Sequence, residues 1–299
     1  MYRHLLVPLD GSRLAETAVP AAVALAVRLD AEIVLLHVVE PEAPAQVHGY
    51  HHLKTPQEAQ AYLDDLVAWV AQRGVRARTR VETGPGDVAA RISREAASAD
   101  ANLIVLCTHG GRGVRGLLFG RVAQQVLARG GIPVFLMPPS PRGREADFLC
   151  RRLLVPLDGS GPSEAVLPYA AAFARALEST LVLESVIPTL STIRGARGAT
   201  ARLLPRMGEA VLEEEATDAA AYLQTLVSRL EADGLDVEGL VERGEPVKVL
   251  EAAAARPGTD AFAMATHARA GVSAIWEGSI AARLMERSGR PILLVRIRS

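Results

Sequence analysis

Two clusters in this 299-residue chain combine residue types and spacing suited to holding a polar or anionic ligand. The first is Asp10-Gly11-Ser12, which recurs as Asp158-Gly159-Ser160. A carboxylate on a tight turn either caps the helix that follows or accepts from a ribose hydroxyl or an adenine amine, and one Asp can do both. The second is Cys107-Thr108-His109-Gly110-Gly111-Arg112-Gly113, followed by Gly116 and Gly120. Glycines at such a place let backbone N–H groups close on anionic oxygens, and the helix expected after them adds its partial positive charge. Neither cluster is a Gly-x-Gly-x-x-Gly directly after the first strand, and there is no Gly-Lys-Ser/Thr. The dinucleotide and Walker arrangements therefore fail on spacing and position.

Other reactive residue types carry less. His48, His51 and His52 lie in the loop 46–55, which has no Cys, Asp or Glu to complete a metal site. A solvated loop is expected there rather than zinc. The loop 188–207 carries Arg194, Arg197, Arg202 and Arg206 and no acid. It reads either as a lid that meets phosphates or, the preferred expectation, as a disordered crossover without an apolar anchor. Cys107 closes an apolar run, so an inert small hydrophobe is expected rather than a nucleophile. His109 recurs as His267, but no Ser or Cys recurs beside them at a readable spacing. A loop-fixing role is expected over general-base catalysis, and no catalytic residue is assigned.

The elements that must position these residues come in two copies. Residues 5–12 and 153–160 both read LLVPLDGS. Val81-Glu82-Thr83-Gly84 recurs as Val241-Glu242-Arg243-Gly244, and Thr108-His109 as Thr266-His267. A repeat near half the chain length means a duplicated domain, where a short period would mean a solenoid. The Pro-rich stretch Pro138–Gly143 marks the boundary, giving domains 1–138 and 151–299 with a linker at 139–150. In the first copy, strand-like runs at 4–9, 33–39, 75–81, 103–106 and 133–137 alternate with helical runs at 14–28, 56–73, 87–97 and 114–127. The second copy follows the same series. The expected class is α/β, with two tandem doubly wound parallel sheets of five strands. Ligands of such sheets sit beyond the carboxyl ends of the strands, so the residues after strands one, two and four matter most.

Composition narrows the function. The chain is 49% hydrophobic and 22% charged, with Lys+Arg 33 against Asp+Glu 34 and a formal net charge of −1. That argues against a nucleic-acid partner and against intrinsic disorder. Two cysteines make no disulfide framework, which fits a reducing compartment. No apolar run approaches the ~20 residues of a membrane span, and MYRHLLVPLDG lacks a signal-peptide core. A cytoplasmic protein without a membrane partner is expected.

At this point both halves resemble the universal stress protein family, in a tandem arrangement. The resemblance rests on a strand ending in Gly-x-x-Gly, then nine residues, then Gly-Ser or Gly-Thr. The first copy follows it as Cys107-Thr108-His109-Gly110, nine residues to Phe119, then Gly120-Arg121. The second follows it as Ala265-Thr266-His267-Ala268, nine residues to Glu277, then Gly278-Ser279. The resemblance implies a Rossmann-like fold of the adenine nucleotide alpha hydrolase type. It further implies that ATP or AMP is held by Asp10, Val38, Thr108, His109, Gly110, Gly113, Gly120 and Arg121. The matching second-copy residues are Asp158, Val186, Thr266, His267, Gly278 and Ser279. Mg2+ is implied only if ATP is the ligand.

Both copies depart from the pattern. Cys107 and Arg121 replace a glycine and the terminal hydroxyl residue in the first copy. Ala265 and Ala268 replace two glycines in the second. A Cβ narrows a loop whose backbone must touch a ligand, while Arg121 offers a charge-assisted phosphate contact in place of a hydroxyl. The leading expectation is a non-catalytic, adenine-nucleotide-responsive stress protein. The alternatives are a ligand-free scaffold working through protein–protein contacts and a slow ATP hydrolase. The resemblance also implies that the final strands, 133–137 and 291–295, pair the two copies into an intramolecular pseudo-dimer, and a homodimer remains open.

Overall fold

The computed structural model describes the whole chain apart from residues 41, 43–45, 48, 109–119, 194, 196–199, 201–202, 257, 267–279 and 298–299. The first copy supplies β1 (His4–Leu9), α1 (Ala18–Leu29), β2 (Glu32–Val38), a small hairpin of β3 (Gln46–Val47) and β4 (Tyr50–His51), α2 (Pro56–Ala71), β5 (Arg76–Glu82), α3 (Val88–Ser98), β6 (Leu103–Cys107), α4 (Arg121–Arg129) and β7 (Val134–Met137). The second supplies β8 (Arg152–Pro156), α5 (Gly161–Glu164), α6 (Leu167–Leu177), β9 (Thr180–Ile187), α7 (Pro205–Ala232), β10 (Val237–Arg243), α8 (Pro246–Ala255), β11 (Ala261–Thr266), α9 (Ile280–Ser288) and β12 (Ile292–Arg296).

These elements gather into two units. One takes Met1–Leu149, Thr266–Gly278 and Pro291–Ser299, and the other takes Cys150–Ala265 and Ser279–Arg290. Strands of the first unit run in the order β12-β7-β6-β1-β2-β5. All neighbours among β7, β6, β1, β2 and β5 are parallel. β12 lies antiparallel to β7, with Leu293 opposite Phe135. Strands of the second unit run β10-β9-β8-β11, all parallel. Each unit is thus a doubly wound α/β layer in which β1 or β8 starts next to the later strand.

The apolar runs explain this arrangement. Leu5, Leu6, Val7, Leu103 and Val105 are fully buried, as strands covered on both faces must be. Each such side chain contributes about 1.5–3 kcal/mol relative to exposure. β5 instead alternates Arg76, Arg78 and Arg80 with smaller residues and forms the outer strand of its sheet. The helices start where polar caps allow. Thr55 and Glu58 exchange reciprocal bonds at the start of α2, Asp87 accepts from the Ala90 amide at α3, and Glu245 accepts from Lys248 at α8. α1 and α6 end on left-handed acids, Asp30 and Glu178, a further trace of the duplication.

Two segments behave differently from their sequence patterns. The stretch after Met137 has no apolar periodicity, yet it docks onto the first unit. Arg144 hydrogen-bonds Asp65 and lies 3.8 Å from Glu16. The Trp69 indole donates to Glu145, and Phe148 packs edge-on against Phe135 at 5.8 Å. The loop after β9 was expected to lack an apolar anchor, and this is corrected. Ile193 is buried with Leu212, and Ile187 and Leu190 pack against them. A turn at Thr189–Thr192 sets this up, with the Ile193 amide donating to the Thr189 carbonyl at 2.9 Å. Arg206 lies exposed on α7, whereas Arg194, Arg197 and Arg202 fall outside the described residues.

Candidate functional site

In the first unit a cavity of about 250 Å³ opens at the carboxyl ends of β1, β2 and β6. This is where the strand order reverses, β1 leading to β2 on one side and lying against β6 on the other. Leu9, Leu36, Val38 and Cys107 come from the strand ends, and Val88 and Ile92 from α3. Asp10 and the α4 start, Gly120-Arg121, complete the opening. Four residues singled out in the sequence, Asp10, Val38, Gly120 and Arg121, therefore meet around one space.

Local geometry fixes each of them. The Asp10 Oδ1 accepts from the Ser12 amide at 2.9 Å, and the Ser12 hydroxyl accepts from Ala15 at 3.2 Å. The turn needs Gly11 at φ +87°, a region costly for other residues. Asp10 thus closes the turn and lines the cavity at once. Gly120 caps α4 with no side-chain hydrogen bond. The first amides of α4 have no intrahelical carbonyl to bond, and the helix dipole adds partial positive charge at the cavity mouth. Thr108 is placed otherwise: its hydroxyl and amide both donate to the Met137 carbonyl, at 3.2 and 2.8 Å, tying β6 to β7. His109, Gly110 and Gly113 lie outside the described residues.

Two histidines also line this cavity, and the sequence pattern did not assign either of them to it. His37 is 1% exposed, and its Nδ1 lies 2.9 Å from the Leu9 carbonyl. Burial lowers its pKa, against the pull of the Leu9 and Leu53 backbone. The ring is therefore neutral, and Nδ1 carries the proton that Leu9 accepts. His52 was expected in a solvated loop, and that expectation is corrected. It is 4% exposed, and neither ring nitrogen has a hydrogen-bond partner. His51, its neighbour, is exposed and lies 3.7 Å from Glu58, while His48 falls outside the described residues. Among the described residues no three His, Cys, Asp or Glu side chains converge as metal ligands. Burial pushes the Cys107 thiol far up, and the Asp10 charge adds to it, so no thiolate forms at neutral pH.

The second unit repeats the turn with a different environment. The Asp158 Oδ1 accepts from both the Ser160 amide and its hydroxyl, at 3.0 and 2.6 Å. Partial burial works to raise its pKa, but these hydrogen bonds prevail and hold the carboxyl below the ordinary range. Val186 lies on β9 opposite Glu242, and Thr266 closes β11. His267, Gly278 and Ser279 lie outside the described residues. Two steps before Val186, Glu184 stands fully buried inside an apolar strand. Like His37, it is a titratable residue interrupting an apolar run, and that interruption was the signal available in the sequence.

Comparison with known proteins agrees with this architecture. The model of the universal stress protein family matches residues 1–138 and again 150–296. A universal stress protein of Synechocystis is 32% identical over 142 residues, spanning 46% of this chain and 87% of its own length. One from Methanocaldococcus jannaschii is 29% identical over 142 residues, covering 46% and 82%. The crystal structure of a universal stress protein from Archaeoglobus fulgidus superimposes with a TM-score of 0.68 at 18% identity, covering 98% of this chain and 96% of that one. Among the described residues no helix is long and apolar enough to cross a membrane. With both halves matched in tandem, the chain belongs to the universal stress protein family.

Proposed function

We propose that this chain is a non-catalytic, cytoplasmic stress-response protein that binds ATP or AMP in the first unit. The supporting observation is the 250 Å³ cavity at the strand-order reversal, where Asp10, Val38 and the start of α4 converge. Its apolar floor suits a base, Asp10 is an acceptor for ribose hydroxyls, and Arg121 with the α4 amides suits phosphate. Family membership supports the same reading. If ATP is the ligand, Mg2+ would be held mainly by the phosphates and water, as is usual for this ion. A neutral buried His37 and an un-ionised Cys107 supply neither a strong base nor a nucleophile, which supports binding without turnover. The adjacency of β7 and β12 supports pairing of the two copies through their final strands.

Isothermal titration with ATP, AMP and GTP tests this. Adenine-nucleotide binding that weakens in Asp10→Ala is expected, and no heat or thermal stabilisation at millimolar ligand would overturn it. A second reading, a ligand-free scaffold, is favoured by the Cys107 side chain at a signature glycine position. Nucleotide released from denatured, freshly purified protein and detected by mass spectrometry would exclude that scaffold.

A further inference from the structure

Glu184 is 0% exposed, and neither of its carboxyl oxygens has a hydrogen-bond partner. It lies on β9 opposite Pro156 of β8. The same register in the first unit pairs Pro8 with Leu36, one of the residues lining the cavity. The duplicated sheet therefore carries a carboxyl group where its twin carries a leucine. Two charged groups bear on it. Arg256, just past α8, places Nη1 3.8 Å from the Glu184 Oε2. The same guanidinium donates through Nη2 to the Glu242 Oε1 at 2.8 Å. Glu242 sits on the neighbouring strand β10. One cation thus serves two acids, and its hydrogen bond goes to the more exposed of them.

We propose that the buried Glu184, flanked by the half-exposed Glu242 and Arg256, is a proton-binding site that makes the second unit pH-responsive. An ionised carboxylate without hydrogen bonds is costly in such surroundings. Uptake of one proton from water removes that cost and leaves Arg256 to Glu242. Burial pushes the Glu184 carboxyl up to about 7, with the Arg256 charge lowering it and the Glu242 charge raising it. The folded value lies above the unfolded one of 4.5. The stabilisation is complete below the unfolded value and is lost as pH rises through about 7. Above that pH, Arg256 is drawn between β9 and β10; below it, the guanidinium belongs to β10 alone. No nucleotide need be bound for this, so the site stands or falls apart from the proposed function.

The test is a pH titration of the full chain carrying 13C-labelled glutamate side chains. One carboxyl resonance with a midpoint between pH 6 and 8, absent in Glu184→Gln, is expected. If the resonance lost in that variant titrates near 4–5, the proposal is overturned. The unfolding equilibrium supplies an independent measure. Wild type should lose on the order of a hundredfold in folding constant relative to Glu184→Gln between pH 5 and 8.5, and a ratio that stays flat overturns it. If Glu184→Gln does not fold, Arg256→Gln in the labelled chain serves instead. It should move the same high midpoint further up, and an unmoved midpoint refutes the site.

Discussion

Alanine at Gly11 and at Gly159 gives a comparison in which most terms cancel. The two glycines stand in the same octapeptide and share a left-handed backbone, at φ +87° and φ +77°. A Cβ costs about 1–2 kcal/mol of local strain at either position. Loss of chain entropy in the unfolded state returns about 0.4–1 kcal/mol at both. The surroundings differ. A Cβ on Gly11 would sit 3.0 Å from the Leu53 Cγ and 3.1 Å from its Cδ1, while one on Gly159 meets nothing within 4 Å. Displacing Leu53 adds an overpacking cost of about 1–2 kcal/mol. Gly159→Ala should therefore cost about 1 kcal/mol and Gly11→Ala about 2–3 kcal/mol. Because two units need not unfold together, hydrogen exchange of the β1–β2 and β8–β9 amides reads each cost in its own unit. Leu53→Ala should relieve part of the Gly11→Ala cost, a coupling of about 1 kcal/mol in a double-mutant cycle. Leu53 follows His52, which lines the first-unit cavity, so Gly11→Ala should also weaken the proposed nucleotide binding there, and Gly159→Ala should leave it unchanged. Equal costs, or the reverse order, would refute the reasoning.

Asp87→Ala removes both the α3 cap and a two-point contact with Arg129 at 2.9 and 2.7 Å. A loss of about 1–2 kcal/mol is expected in urea unfolding, mostly from the cap because the ion pair is exposed. Arg91→Ala strips donors from the Val39 and Glu82 carbonyls deep in the first unit, and a cost of about 2–4 kcal/mol should appear as a lowered unfolding midpoint. The pKa of His37 is lowered on folding by burial, so its contribution to stability is lost as pH falls below about 6.5. Once the intrinsic exchange rate at each pH is divided out, protection of the β1 amides should thus fall with acid in wild type and less so in His37→Gln. Both thiols are buried, Cys150 being pushed up to about 12. Iodoacetamide at pH 8 should leave the folded chain unlabelled, and denaturant should yield two adducts by mass spectrometry.

How much of this was legible follows from what each feature depends on. Most strands and helices were readable because continuous apolar runs and alanine spacing carry their own periodicity, as at Leu5–Val7 and Ala18–Ala26; the helix expected at 114–127 is described only as Arg121–Arg129, and the β3–β4 hairpin lies where a polar loop is expected. The turn at Asp10 was readable because its hydrogen bonds span only two residues. The depth of His52 was not, since it depends on where a loop lands rather than on its composition. The docking of residues 139–149 was equally hidden: Arg144 reaches Asp65 across 79 residues of sequence. Glu184 and Arg256 are separated by 72 positions, and only the sheet brings them together.

The last strand has a consequence for synthesis. The first unit is not continuous along the chain, because β12 closes against β7 only after the whole second copy has been made. At about 5–20 residues per second, roughly 150 residues of further translation leave the β7 edge waiting for about 8–30 s. The backbone of its Val134, Phe135 and Leu136 would lack its β12 partner for that interval, a time long enough for chaperone capture. Nascent chains stalled before residue 291 should therefore be the form most prone to associate edge to edge.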